Sequence, residues 1–289
     1  MSSDSEKDHP LYAYDPSLAA AVIFIVIFSG TTLFHGWQVI KNKNWYFIPF
    51  IVGCLAEAIG CIGRAIGAQE SPDWVLGPYV IQALLLLIGP TLYAASIYMV
   101  LGRMIRLLEA DKLSIIRPSW LTKCFLLGDI ISLLAQGGGG AMLASADTKK
   151  ATDRGELIII IGLVVQILFF SLFMISTFIF HRRINADPTQ KSLNISVPWR
   201  RLLIVLYSTS LLILVRSVFR LIEYIQGRDG YLQSKEVFIY IFDIVLMAAV
   251  AIVFNVFHPS QVLTAQSKQR LSSSDSEMQL EGYGQGRRA

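Results

Sequence analysis

Seven predominantly apolar stretches, at about 18–40, 46–68, 77–101, 121–145, 156–180, 202–225 and 236–257, constrain this chain more than any other feature. Each is long enough to cross a hydrocarbon core of ~30 Å at a rise of ~1.5 Å per residue. A backbone in lipid must satisfy its own polar groups, so each stretch is expected to be a helix. Hydrophobic side chains make up 54% of the 289 residues and charged ones only 16%, too apolar a balance for a soluble domain of this length. The expected fold is an all-α membrane protein, a seven-transmembrane helix bundle over 18–258. A polar segment, 1–17, precedes it and a polar, disordered tail, 259–289, comes after it. The first segment carries Asp4, Glu6, Asp8 and Asp15 and lacks the basic start of a signal peptide, so the first span is read as retained.

Seven crossings put the termini on opposite sides, and basic residues choose between the two orientations. With the N-terminus outside, the inner segments hold sixteen Lys and Arg, from Lys41 and Lys43, the loops around 102–123 and 182–201, and the tail; the outer segments hold six. That imbalance predicts an extracytosolic N-terminus and a cytosolic C-terminus. The sequon Asn194–Ile195–Ser196 then faces the cytosol and stays unglycosylated.

Full charges inside such spans are expensive, roughly 2.5–3.5 kcal/mol each at mid-membrane on insertion scales, so they need partners or water. In the sixth span Arg216, Arg220 and Glu223 recur at helical spacing and share one face. The second span contributes Glu57 and Arg64, the fourth Asp129 and Gln136, the seventh Asp243. With the N-terminus outside, these residues fall at similar depths, from mid-membrane outward. They are expected to line one polar chamber open to the outer side, in which four carboxylates face three guanidiniums. Two readings stand beside each other: buried ion pairs that fix helix register, and a ligand site where a spare carboxylate meets a cationic or hydroxylated head group while apolar walls take a hydrocarbon tail. Tyr79, Tyr93, Tyr98, Tyr224 and Tyr240 are expected to be wall residues.

Pro90, near the middle of the third span, predicts a kink. Gly137, Gly138, Gly139 and Gly140 weaken the fourth span by roughly 1 kcal/mol each relative to alanine. They predict either close helix packing or a broken helix lining the chamber. His35 and His258 read most simply as hydrogen-bonded residues near helix ends. Cys54, Cys61 and Cys124 lie in or beside apolar segments and read as buried thiols. No phosphate-binding glycine loop, serine–histidine–acid arrangement, metal-ligand spacing or basic run interleaved with aromatics occurs. The chain is therefore expected to be no enzyme, to need no cofactor, and to bind no nucleic acid.

Taken in order, Glu57 and Arg64; Gly89–Pro90 with Ala94, Ala95 and Tyr98; Asp129, Ser132 and Gln136 running into Gly137–Gly139; Gln166; Arg216, Arg220, Glu223 and Tyr224; and Glu236, Tyr240, Asp243 and His258–Pro259 resemble the fungal RTA-like proteins. That family is named for resistance to aminocholesterol and is also called the lipid-translocating exporter family; the resemblance covers about residues 12–260. It implies a fungal plasma-membrane protein concerned with release of sphingoid long-chain bases or resistance to sterol-like compounds, and in one branch with porphyrin uptake. The family customarily carries alanine where this chain has Gly89; a small residue is kept either way. Membrane lipids and an amphipathic or sterol-like ligand are the expected partners. A different class, a seven-helix lipid-stress receptor without transport activity, fits the same topology, with Ser272, Ser273, Ser274 and Ser276 in the acidic tail as a kinase target.

Overall fold

A computed structural model describes residues 14–71, 74–146, 148–195, 197–227 and 230–263. Ser272, Ser273, Ser274 and Ser276 lie outside the described residues, as does Ser196 of the sequon.

Seven long helices form the bundle. Helix α1 (Leu18–Asn42) is succeeded by a single 3-10 turn, Trp45–Phe47, and by α2 (Ile48–Gln69), α3 (Leu76–Leu107), α4 (Pro118–Ala144) and α5 (Lys149–Ala186). After a short helix, α6 (Gln190–Asn194), comes α7 (Trp199–Gln226). The seventh crossing is composite: α8 (Glu236–Ile239), a π-helical turn over Tyr240–Ile244, and α9 (Val245–Val256). One further turn, α10 (Ser260–Leu263), extends helical structure into what the sequence presents as the start of the tail.

Local chemistry sets the ends. The hydroxyl oxygens of Ser17, Thr148 and Thr189 accept hydrogen bonds from the backbone N–H groups of Ala20, Ala151 and Ser192, capping α1, α5 and α6. Pro118 and Pro49 stand in the first turns of α4 and α2, where the missing N–H is not needed. Because Thr148 caps it, α5 begins well before the apolar stretch, and both its ends project polar turns past the apolar region. Similarly α3 runs on to Leu107, so Arg103 and Arg106 sit on a helix rather than in a loop.

The faces that point away from the bundle are apolar. Leu33, Val26, Ile40, Leu134, Ile204 and Ile225 are all well exposed, as lipid-facing positions must be. Helices approach closely where side chains vanish. A Cβ at Gly63 would lie 3.0 Å from the Pro78 carbonyl of α3, and one at Gly139 would lie 2.7 Å from the Gly155 carbonyl of α5. The glycine run does not break α4: the helix continues through it to Ala144. Only Gly139 is pressed against a neighbour; Gly137, Gly138 and Gly140 face open space. Of the two expectations for this run, close packing at one position is what the fold uses. Pro90 likewise sits inside an unbroken α3. Cys54 and Cys61 are buried thiols, whereas Cys124, also expected to be buried, is exposed.

Candidate functional site

The charged residues of α7 meet the composite seventh crossing at the end of the bundle that carries the start of α1. A π turn accommodates an extra residue, which rotates the next turns relative to those of a continuous α-helix. Asp243 lies in this turn and faces α7, accepting from Arg216 Nε at 2.5 Å and Nη2 at 3.4 Å. Arg216 Nη2 also donates to the Leu86 carbonyl of α3 at 2.7 Å. Four residues on from Leu86 stands Pro90, which has no N–H to offer that carbonyl. Proline therefore matters here as a missing donor that leaves an acceptor to arginine.

One turn along α7, Arg220 Nη1 donates to Glu223 Oε2 at 2.8 Å and lies 3.9 Å from Asp243 Oδ2. Arg64 of α2 completes the cluster. Its Nη2 donates to Glu236 Oε1 at 2.8 Å and to the Tyr14 hydroxyl at 2.7 Å, and its Nε donates to the Tyr240 hydroxyl at 3.2 Å. The Glu236 carboxylate accepts in addition from the Ser17 N–H, at 2.9 and 3.0 Å, so the same ion pair anchors the start of α1. Burial pushes the Tyr14 phenol up, against the Arg64 guanidinium beside it, which lowers it. The phenol is thus a neutral group at this rim.

Among these side chains lies a cavity of about 120 Å³, lined by Tyr14, Arg64, Gln82, Arg220, Glu223 and Asp243, among others. With a water occupying ~30 Å³ of liquid, the space suits a few waters or a small polar head group. Pockets that enclose a whole drug-sized ligand run to ~300–1,000 Å³. The three guanidiniums are matched by three carboxylates: Arg64 with Glu236, Arg216 with Asp243, Arg220 with Glu223.

Of the tyrosines expected as walls, Tyr79 and Tyr224 line the cavity and Tyr240 accepts from Arg64, whereas Tyr93, Tyr98, Asp129, Gln136 and Glu57 lie outside it. Asp129 Oδ2 accepts from the Tyr98 hydroxyl at 2.8 Å, beside Phe125 and Phe173, which ties α4 to α3. Gln136 donates to the Ser132 hydroxyl at 2.6 Å and to Gln166 Oε1 at 3.0 Å, and Ser132 donates to the Gly162 carbonyl at 2.7 Å, which ties α4 to α5. Depth placed these two residues with the cluster; their faces turn them to different helices. Glu57 is fully buried, yet it does not reach the cavity wall. Conversely, Glu236, Tyr14 and Gln82 were not expected in the site. Glu236 stands among the residues that carry the family resemblance, but as an acid in the first turn of a span it reads equally well as a helix start. Tyr14, preceding α1, had no signal.

At the opposite end, His35 Nε2 meets the Ala251 carbonyl at 3.1 Å and His258 Nδ1 meets the Ser260 hydroxyl at 2.8 Å. Both histidines pack among Phe47, Phe50 and Phe254 as hydrogen-bonded residues between helices.

Comparison with known proteins bears on the whole bundle. Residues 50–266 match the family model described as RTA1 like protein. Protein RTA1 of Saccharomyces cerevisiae is 39% identical, over 86% of this chain and 84% of its own length. Protoporphyrin uptake protein 1 of the same yeast is 34% identical, over 88% of this chain and 93% of its own. Sphingoid long-chain base transporter RSB1, also from Saccharomyces cerevisiae, is 25% identical, over 87% and 74% respectively. No solved structure matches the chain significantly.

Proposed function

The chain belongs to the RTA1-like protein family, and on that premise we propose that it binds amphipathic lipids by their head groups in the cavity beside Arg220, Glu223 and Asp243 and moves them across the membrane. The observation that carries this reading is the cavity itself: a small, charge-lined space in a bundle whose outward helix faces are apolar. A sphingoid long-chain base has the complementary chemistry. Its ammonium suits Glu223 and Asp243, its hydroxyls suit Gln82 and the guanidiniums, and its tail needs only the exposed apolar helix faces. One relative is named for a sphingoid long-chain base and another for protoporphyrin, and the cavity favours the former. A head group matches the size of the cavity, about 120 Å³, whereas a porphyrin macrocycle would have to lie largely outside it.

With the basic residues placed inside, the cavity opens on the extracytosolic side of a plasma membrane, where a released head group would emerge. In this reading the protein is a carrier and not an enzyme: the site binds and orients, and no bond of the lipid changes.

The test is transbilayer movement of a labelled long-chain base in liposomes containing the purified protein. Movement well above that of protein-free liposomes is expected, with little competition by protoporphyrin. Binding without movement would replace transport with sensing, and strong competition by protoporphyrin would replace the substrate class. Absence of both binding and movement would overturn the reading.

A further inference from the structure

Glu57 is fully buried, and neither of its carboxyl oxygens has a hydrogen-bond partner among the described residues. Its carboxyl occupies the space a side chain at position 89 would take: a Cβ on Gly89 would lie 2.5 Å from Oε1. The titratable and charged groups around it are Cys54, Cys61 and Arg64 on its own helix, Tyr93 from α3, Arg216 from α7 and Asp243 from the π turn. Tyr93 is occupied, donating to Cys54 Sγ at 3.2 Å. From α1 the nearest titratable group is His35, which packs on Phe50, about two helical turns back along α2. Glu57 thus stands behind the Arg216–Asp243 pair, whose Asp243 forms part of the cavity wall.

An ionised carboxylate with no partner is among the costliest groups a membrane interior can hold. At rest, therefore, the acid carries its proton. The cluster before it is balanced, three guanidiniums against three carboxylates. A cationic head group entering beside Glu223 and Asp243 adds one uncompensated positive charge to a water-poor interior, and it competes with Arg216 for Asp243. Loss of the Glu57 proton corrects both faults, because it restores neutrality and gives Arg216 a new anion.

We propose that the protein exchanges a proton on Glu57 for a cationic head group in the cavity, so that lipid movement is a proton antiport; the inference rests on the head-group reading above. When the cation binds, the Glu57 O–H bond breaks, the electron pair stays on the carboxylate and the proton passes to water on the side then open. When the cation leaves on the other side, Glu57 takes a proton from that side. One cation crosses for one proton in the opposite direction. Gly89 supplies the berth in which the neutral acid rests.

The experiment uses the full chain in lipid nanodiscs and a long-chain alkyl-trimethylammonium probe, whose fixed charge carries no proton of its own. Two signals are read on adding it: acidification of a weakly buffered solution, and the infrared carbonyl band of buried carboxylic acid. Release of about one proton per bound probe, with loss of the band, is expected for the natural sequence, and neither change for Glu57→Gln. Gly89→Ala removes the berth without altering a polar atom, so its band must lie at a different position; this decides the matter even where Glu57→Gln does not fold. Probe binding without proton release, equal release in Glu57→Gln, or an unshifted band in Gly89→Ala overturns the inference and leaves the head-group reading standing. A probe that does not bind overturns both.

Discussion

Arg216 is held to α3 through the Leu86 carbonyl, at 2.7 Å from Nη2. That carbonyl is available because Pro90, one turn on, brings no N–H to it. The guanidinium therefore spends its donors on two helices at once, Leu86 of α3 and Asp243 of the seventh crossing. Three crossings meet at one side chain, immediately beneath the cavity.

Replacing Pro90 with alanine tests that arrangement. The new N–H competes for Leu86, while the helix itself gains intrinsic propensity of up to ~3 kcal/mol. The folded yield and the melting temperature of Pro90→Ala should not fall. Movement of a long-chain base should fall by about tenfold, since a hydrogen bond to a charged group is worth ~1.5 kcal/mol or more. A melting temperature that drops while transport is kept would show that the proline serves the helix and not the arginine.

The Arg216–Asp243 pair is buried on both sides. Arg216→Ala strands a carboxylate in the interior, a loss of ~3–5 kcal/mol. Adding Asp243→Ala removes the stranded charge, so the double variant should be more stable than Arg216→Ala alone. Denaturation of the purified protein in mixed micelles measures this, and strictly additive losses would refute a direct coupling.

The bundle was legible because apolar length is a property of single stretches: seven runs require seven helices whatever their neighbours are. The Arg216, Arg220 and Glu223 face was legible for the same reason, since spacing within one helix fixes it. Which acid serves which arginine was not. Asp243 turns toward α7 through a π turn that a 3.6-residue period does not reveal, and Glu236 looked like an ordinary helix start. Asp129 has a suitable depth but faces Tyr98. Depth can be counted along a chain; the direction in which a helix faces its neighbours is decided by packing. Gly89 shows the same limit, since a small residue of either kind looked equivalent until the Glu57 carboxyl was found in the space of the missing methyl.

Because Asp129 stands apart from the cavity, its replacement and that of Asp243 should register in different measurements. Asp129→Asn weakens the bond from Tyr98 and should reduce stability by ~1–3 kcal/mol, with long-chain-base movement per folded molecule unchanged. Asp243→Asn should depress that movement severalfold at equal folded amount. Transport assays normalised to monodisperse protein distinguish them, and equal transport defects would return Asp129 to the site.

The glycine run of α4 offers a contrast between adjacent positions. At Gly139 an added methyl would press on the Gly155 carbonyl and on Ile159 across the α4–α5 contact, both at 2.7 Å from its Cβ. Backbone cannot step aside as a side-chain end can, so Gly139→Ala should cost ~1–3 kcal/mol. At Gly138 nothing stands in the way, and alanine there should stabilise the helix by up to ~1 kcal/mol. The two melting temperatures should therefore move in opposite directions. If instead the run were a hinge whose flexibility is used during transport, Gly138→Ala would slow lipid movement as it raised stability. Unchanged movement in Gly138→Ala assigns the run to packing, through the single glycine that touches α5.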